Sequence, residues 1–451
     1  MRYFVVSIIL NILFFASIAQ AQSTEAQSSQ PSSGSQSTDD ALMSLLTVLS
    51  QSADEHSNDN QMNVGFQFNE LYDSNPLDLP TRARSDEISS LNGTFGLNKK
   101  WQHTSIAGNY NGGADYYYRM QRQDQMYHEA SAAQNFSFGP VTFLVGGDYE
   151  FLPSSSFGFD ATHQITSGSL DLINPDLLPS QNIQTPPLRR TSYTGVSQLG
   201  LDFGRSQLNF SGSYGLLQYE RNGLPETDQA SAAAAYSFAL SSRDSIGMSY
   251  QYELFRTTAN PLQIIDEVAT VSYAHRFGNN LTLKVGAGPD LRSYNNTQAR
   301  LLQGIDPALS ANGSLDYSRR STHLNVTYTR STTSGQGVLQ GSESDQIQLS
   351  TSQGIGRGWA VSGTAGYARS ASLARIVKST GSQLVDELFD SGFYSSALSK
   401  KLGMFSFIFG YTLETQDSTA PVCDSGLCQN YPLHHVASVG LSFAPPAVKF
   451  R

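Results

Sequence analysis

Cysteine, tryptophan and charge are all scarce in this chain of 451 residues. Only two cysteines occur, Cys423 and Cys428, so neither a disulfide framework nor a cysteine-rich zinc site can organise the fold. Charged residues make up 15% and the net charge is −10, which excludes nucleic acid as a partner because phosphate binding needs a basic surface. Beyond the N-terminus no apolar run approaches the ~18 residues that a membrane-spanning helix requires. Catalytic signatures are missing too. Gly200 to Gly204 lacks the serine of a nucleophile elbow, and there is no H-E-x-x-H, phosphate-binding loop or zinc spacing. No cofactor, metal or catalytic residue set is therefore expected.

What is present is polarity without charge. Ser, Thr, Asn, Gln and Gly fill the space that charged residues leave, and the mean hydropathy is −0.30. Hydrophobic residues at 39% suffice for one face of many strands but not for several packed cores. Tyr (22) and Phe (24) are abundant, as suits strands with an aromatic, lipid-facing side.

The N-terminus reads as an export signal. Arg2 precedes the apolar run Tyr3 to Phe15 and then Ala16-Ser17-Ile18-Ala19-Gln20-Ala21, an A-x-A site with the cut expected before Gln22. No cysteine follows the cut, so a lipoprotein is not expected. Residues 22–60 form a leader, Ser/Gln/Gly-rich from Ser28 to Ser37 and unable to bury a core. Within it, residues 39–54 are expected to form a short amphipathic helix: Asp39 or Asp40 caps it, and Leu42, Leu45, Leu46 and Leu49 share one face. That stripe could engage a periplasmic partner.

From residue 61 to 451 the period is two. Val64, Phe66 and Phe68 alternate with Gly65, Gln67 and Asn69; Val141, Phe143, Val145, Gly147 and Tyr149 with Thr142, Leu144, Gly146, Asp148 and Glu150; Phe405, Phe407, Phe409 and Tyr411 with Ser406, Gly410 and Thr412. The runs last about 10 to 14 residues, against about 5 or 6 for soluble strands. Short turns, near Lys99-Lys100, Gly139-Pro140, Gly204-Arg205, Ser242-Arg243, Gly278-Asn279, Arg319-Arg320, Gly356-Arg357 and Lys400-Lys401, alternate with longer loops. Short turns at one rim and long loops at the other describe a transmembrane antiparallel up-and-down β-barrel of about 18 strands, with 16 the nearest alternative.

On these features the chain resembles the porin-like outer-membrane β-barrel proteins of diderm bacteria, over residues 61–451. The resemblance includes the last strand, Val436 to Phe443, whose aromatic end looks like the terminal signal read by the barrel-assembly machinery; Ala444 to Arg451 then continue past it. It implies an outer-membrane site among lipid and lipopolysaccharide, periplasmic turns and extracellular loops. An even strand number puts both termini at the periplasmic rim and Cys423–Cys428 in the last external loop. A disulfide across Cys-Asp-Ser-Gly-Leu-Cys is expected in that oxidising compartment. A metal site would need more ligands, and only His434 and His435 stand near. Successive strand residues face opposite ways, so these two histidines are not expected to act together.

A barrel of this size leaves an aqueous lumen. Its inner face is expected to carry Asp148, Glu150, Asp202, Glu253, Asp290 and Asp316 against Lys284 and Arg276. Asp148 and Glu150 could in principle serve acid–base chemistry, but carboxylates are ordinary in pore linings. The expectation is passive diffusion of small hydrophilic solutes or ions with a weak cation preference. Pairing of these carboxylates with loop arginines such as Arg189 and Arg190 would instead leave a neutral eyelet. The alternatives are an export barrel, for instance for polysaccharide, and a structural or adhesive barrel that works through its loops.

Overall fold

The computed structural model describes residues 60–450, apart from 77–83, 121–124, 154–181, 184–188, 220–225, 258–261, 297–303, 334–335, 338–341, 374–375, 378–383, 386–387 and 419–432. The expected signal peptide, the leader helix at 39–54, and Cys423 and Cys428 lie outside the described residues.

Period-two patterning with β-favouring residues produces eighteen long strands. They are β1 (Gln61–Asp73), β2 (Asp86–Lys100), β3 (Thr104–Tyr117), β4 (Gln125–Phe138), β5 (Val141–Pro153), β6 (Arg189–Asp202), β7 (Ser206–Tyr219), β8 (Thr227–Ala239) and β9 (Asp244–Thr257). The second half comprises β10 (Leu262–Phe277), β11 (Leu281–Asn296), β12 (Gly304–Arg319), β13 (Thr322–Thr333), β14 (Ser342–Gly356), β15 (Trp359–Ser372), β16 (Leu388–Leu402), β17 (Phe405–Ser418) and β18 (His434–Phe443). Each pairs antiparallel with its sequence neighbours, and the strand count is the one the alternation predicts.

The sheet has no terminal edge strand. β1 pairs with β2 (Gln67↔Asn92) and also with β18 (Phe66↔Phe443 to Asp73↔Val436), which closes the barrel. Closure pairs the first strand with the last, so that no strand is left at an edge of the sheet, the condition for a sheet to sit in hydrocarbon. Beyond Phe443 the chain rejoins β1 one residue out of register, at Met62↔Val448 and Gln61↔Lys449. Pro445 and Pro446 have no N–H to give the ladder, so the chain leaves it there and returns after the bulge. Phe450 N–H then donates to Asn60 O at 3.0 Å.

Connections at one rim run two to four residues, the tightest being those between β4 and β5, β12 and β13, β14 and β15, and β16 and β17. At the β14–β15 turn both Arg357 (φ 49°) and Gly358 (φ 77°) are left-handed, as a type I′ turn requires to match the strands' twist. This end is the turn side; the opposite end is the loop side.

Burial assigns the faces. Phe66, Phe68, Phe143, Phe210, Met248, Val271, Phe407, Phe409 and Leu441 are exposed, whereas the residues that alternate with them, among them Gln67, Asn69, Ser362, Thr364, Thr412 and Ser438, are buried. An apolar, aromatic exterior around a polar interior inverts a soluble protein and fits a barrel that crosses a membrane.

One ladder is incomplete. β12 and β13 pair from Arg319↔Thr322 as far as Ala311↔Arg330 and no further, although β12 extends to Gly304 and β13 to Thr333. Above that point β12 stays with β11 (Asp290↔Ala308, Arg292↔Asp306), and β13 stays with β14 (Thr333↔Ser342).

Candidate functional site

The inner wall of the barrel is the candidate site, and strand register decides what stands on it. Starting from buried Gln67 and Asn69, the cross-strand pairs carry the inward face around the ring: Asn69↔Ser90, Ser90↔Asp115, Asn111↔Glu129, Glu129↔Glu150 and Glu150↔Ser192. Farther round, Ser231↔Glu253, Glu253↔Asp266 and Asp266↔Arg292 continue it.

All eight charged residues read from the sequence fall on this inward face. Asp148 and Glu150 are half-buried on β5, and Glu150 lies directly opposite Glu129, whose carboxylate accepts a hydrogen bond from Asn111 Nδ2 at 3.0 Å. Asp202 is exposed at the turn rim, where its Oδ1 accepts from Gly204 N–H at 2.7 Å and shapes the turn. Asp316 accepts from Asn325 Nδ2 and, at 3.3 Å, from Ser314 Oγ. Lys284 and Arg276 are half-buried near the same rim. Glu253 and Asp290, by contrast, are buried, at 2% and 0% exposure. Arg189 is exposed.

The sequence reading missed a second set of inward ionisable groups. Asp73, Asp86, Asp115, Asp266, Arg292, Glu414 and His434 are all buried. Asp86 is held by backbone: its carboxylate accepts from the N–H of Glu87 (2.8 Å), Arg119 (3.0 Å) and Met120 (2.9 Å). His434 Nε2 lies 2.6 Å from Asp73 Oδ1, and its Nδ1 lies 3.6 Å from Glu414 Oε2. This cluster bridges β1, β17 and β18 at the closing seam. His435 faces outward, with its Nδ1 2.7 Å from Tyr411 Oη, so the two adjacent histidines share no site.

Extending β1's alternation four residues beyond Asn69 would have found Asp73. Asp266 gave no such signal, because its inward neighbours Ile264 and Val268 are apolar and break the polar-in pattern.

Among the described residues Arg292 is the most deeply buried base. Its Nη2 lies 3.0 Å from Asp290 Oδ2 and its Nη1 2.8 Å from Glu343 Oε2. Glu343 also pairs with Arg330, whose Nη1 lies 3.6 Å from Asp345. Thr332 Oγ1 donates to Asp290 Oδ2 at 3.0 Å. These contacts join opposite faces of the sheet. Asp290 and Arg292 are on the inward face of β11, whereas Arg330, Thr332, Glu343 and Asp345 are on the face of β13 and β14 that carries exposed Tyr328 and Ile347, the outward one. Among the described residues no group of three or more His, Cys, Asp or Glu could hold a metal ion.

The buried inward charges sort by height. Among the described residues all of them lie in the loop-side half, while Asp202, Arg276, Lys284 and Asp316 in the turn-side half are exposed or half-buried.

No family model and no curated protein sequence matches the chain. Among solved structures the chain is similar to OpdQ of Pseudomonas aeruginosa (TM-score 0.44, 11% identity, 86% of this chain and 99% of that one). It is also similar to OccAB3 of Acinetobacter baumannii (0.42, 10%, 86% and 100%) and to the FrpB iron transporter from Neisseria meningitidis in its apoprotein form (0.42, 8%, 85% and 81%). Likenesses this remote transfer no substrate and no site residue.

Proposed function

We propose that this barrel is an outer-membrane pore for small hydrophilic solutes and ions, with a weak preference for cations. The observation that carries the reading is the inner wall itself. It is lined by hydroxyl, amide and carboxylate groups behind an apolar exterior, and such a lining stabilises water and polar solutes.

The cation preference rests on the charge balance of the groups that are not buried. Glu129, Asp148, Glu150, Asp202, Asp306 and Asp316 share the inward face with Lys100, Arg276, Lys284, Lys401 and Lys449. In a confined channel an acidic excess focuses a negative potential and concentrates counter-ions. At 0.01 M salt the Debye length of about 30 Å exceeds the pore radius, so the whole cross-section feels that potential. The reversal potential of the purified barrel under a salt gradient should carry the cation-selective sign and shrink as salt rises. An anion-selective sign would refute the role given to these carboxylates.

A further inference from the structure

The contacts around Arg292 have a geometric consequence. The inward face of β11 can touch the outward face of β13 and β14 only if the loop-side ends of β13 and β14 lie inside the ring that β11 and β12 continue. The incomplete β12–β13 ladder supplies the break that lets them in: pairing stops at Ala311↔Arg330, and Ser310 Oγ donates to Arg330 O at 3.3 Å where the strands part. An independent observation locates the tip of this hairpin. Gln336 and Gly337, between β13 and β14, pair in parallel with Asn182 and Ile183, which belong to the connection between β5 and β6. In a ring of eighteen strands, β5–β6 and β13–β14 stand nearly opposite each other. Backbone from facing walls of so wide a barrel meets only where a segment crosses the mouth.

We propose that the loop-side ends of β13 and β14, residues 330–333 and 342–345, are a gate folded into the mouth of the lumen and latched by Arg292. The inference deepens the pore reading and rests on it. The latch is strong because Arg292 is 2% exposed and holds Asp290 on its own strand and Glu343 on the gate together. Breaking a buried pair by removing one partner leaves an uncompensated charge. The wall behind the latch is also fixed. At Gly288 a Cβ would stand 1.7 Å from Ala269 O, so only glycine lets β11 approach β10 this closely, directly below Asp290 and Arg292. Pro289 follows it, and the ladder is interrupted between Val268↔Asp290 and Val271↔Ala287 without a change of register.

The test uses full-length protein with Cys423 and Cys428 changed to serine. Single-channel recordings compare Arg292 intact with Arg292→Ala and with Glu343→Gln. A cysteine pair, Asp290→Cys with Thr332→Cys, spans the contact between wall and gate. Heat-modifiable gel migration confirms that each variant is assembled. Arg292→Ala should add a larger conductance level and shift the closed-to-open ratio on the order of a hundredfold, the effect of unpairing a buried charge. Glu343→Gln should shift it the same way by less. Oxidising the cysteine pair should abolish the larger level, and reductant should restore it. The rate of disulfide formation reports the gate's position whether or not the pore conducts, and Arg292→Ala should slow it. An unchanged rate with unchanged conductance overturns the gate. A slowed rate with no current from any variant leaves the latch standing and overturns the pore reading instead.

Discussion

The two halves of the barrel are built on different terms. On the turn side, strands are joined by connections of two to four residues, and the inward charges Asp202, Arg276, Lys284 and Asp316 keep contact with solvent. On the loop side one ladder opens, and inward ionisable groups such as Glu253, Asp290, Arg292 and His434 are buried, while Glu129, Asp148 and Glu150 stay half-buried. A half-exposed charge costs little and is free to act on passing ions; a buried one is costly unless it is paired, and so becomes a structural fastening. The same residue types therefore do different work according to their burial: those that solvent reaches set the field, and the buried, paired ones of the loop side hold strands in place.

That contrast can be broken by mutation, and the effects should rank by burial and by steric room. The largest is expected at Gly288→Val. The added carbon has nowhere to go against Ala269 O, so heat-modifiable, fully assembled protein should be lost. Assembly at the wild-type yield would show that β10 and β11 can separate there. Next is His434→Ala, which leaves Asp73 and Glu414 buried without their shared partner. Unpairing them should cost about 3 kcal/mol, read as a fall in the urea midpoint of the barrel in detergent. A midpoint within error of wild type would mean that water reaches the seam.

Smaller effects should come from groups that solvent already reaches. Asp148→Asn combined with Glu150→Gln should leave stability nearly unchanged but move the low-salt reversal potential toward zero, because it removes two half-buried carboxylates from the inner wall. An unmoved potential would place the selectivity elsewhere. The smallest effect is expected at the pair Arg256–Asp228, at 3.9 Å with side chains 58% and 29% exposed. A double-mutant cycle there should return at most about 1 kcal/mol. A larger coupling would contradict the claim that exposure, rather than height in the barrel, sets the value of a charge pair.

Much of this was legible from residue order. Side chains on a strand alternate strictly, so Phe66 outside and Gln67 inside follow from the alternation at 61–69 without any knowledge of what lies next to them. The same local rule put Asp148, Glu150, Asp202, Glu253, Asp290, Asp316, Lys284 and Arg276 on the inward face. Turn chemistry around Gly139, Gly204, Gly278 and Gly403, all at positive φ, marked where strands reverse and hence how many there are. It failed where the signal weakened: Ile264 and Val268 on an inward face hid Asp266 between them.

What only the tertiary structure decided is which of those inward charges meet and which are buried. Face is a property of one strand, whereas burial depends on what stands opposite, and that is fixed by closure and register across the whole ring. Asp73 and His434 are separated by nearly the entire barrel in sequence and come within 2.6 Å only because β1 and β18 pair. Arg292 reaches Glu343 only because β13 leaves β12 at Arg330. Alternation specifies the lining of the barrel residue by residue, but long-range pairing of strands determines where that lining is closed off.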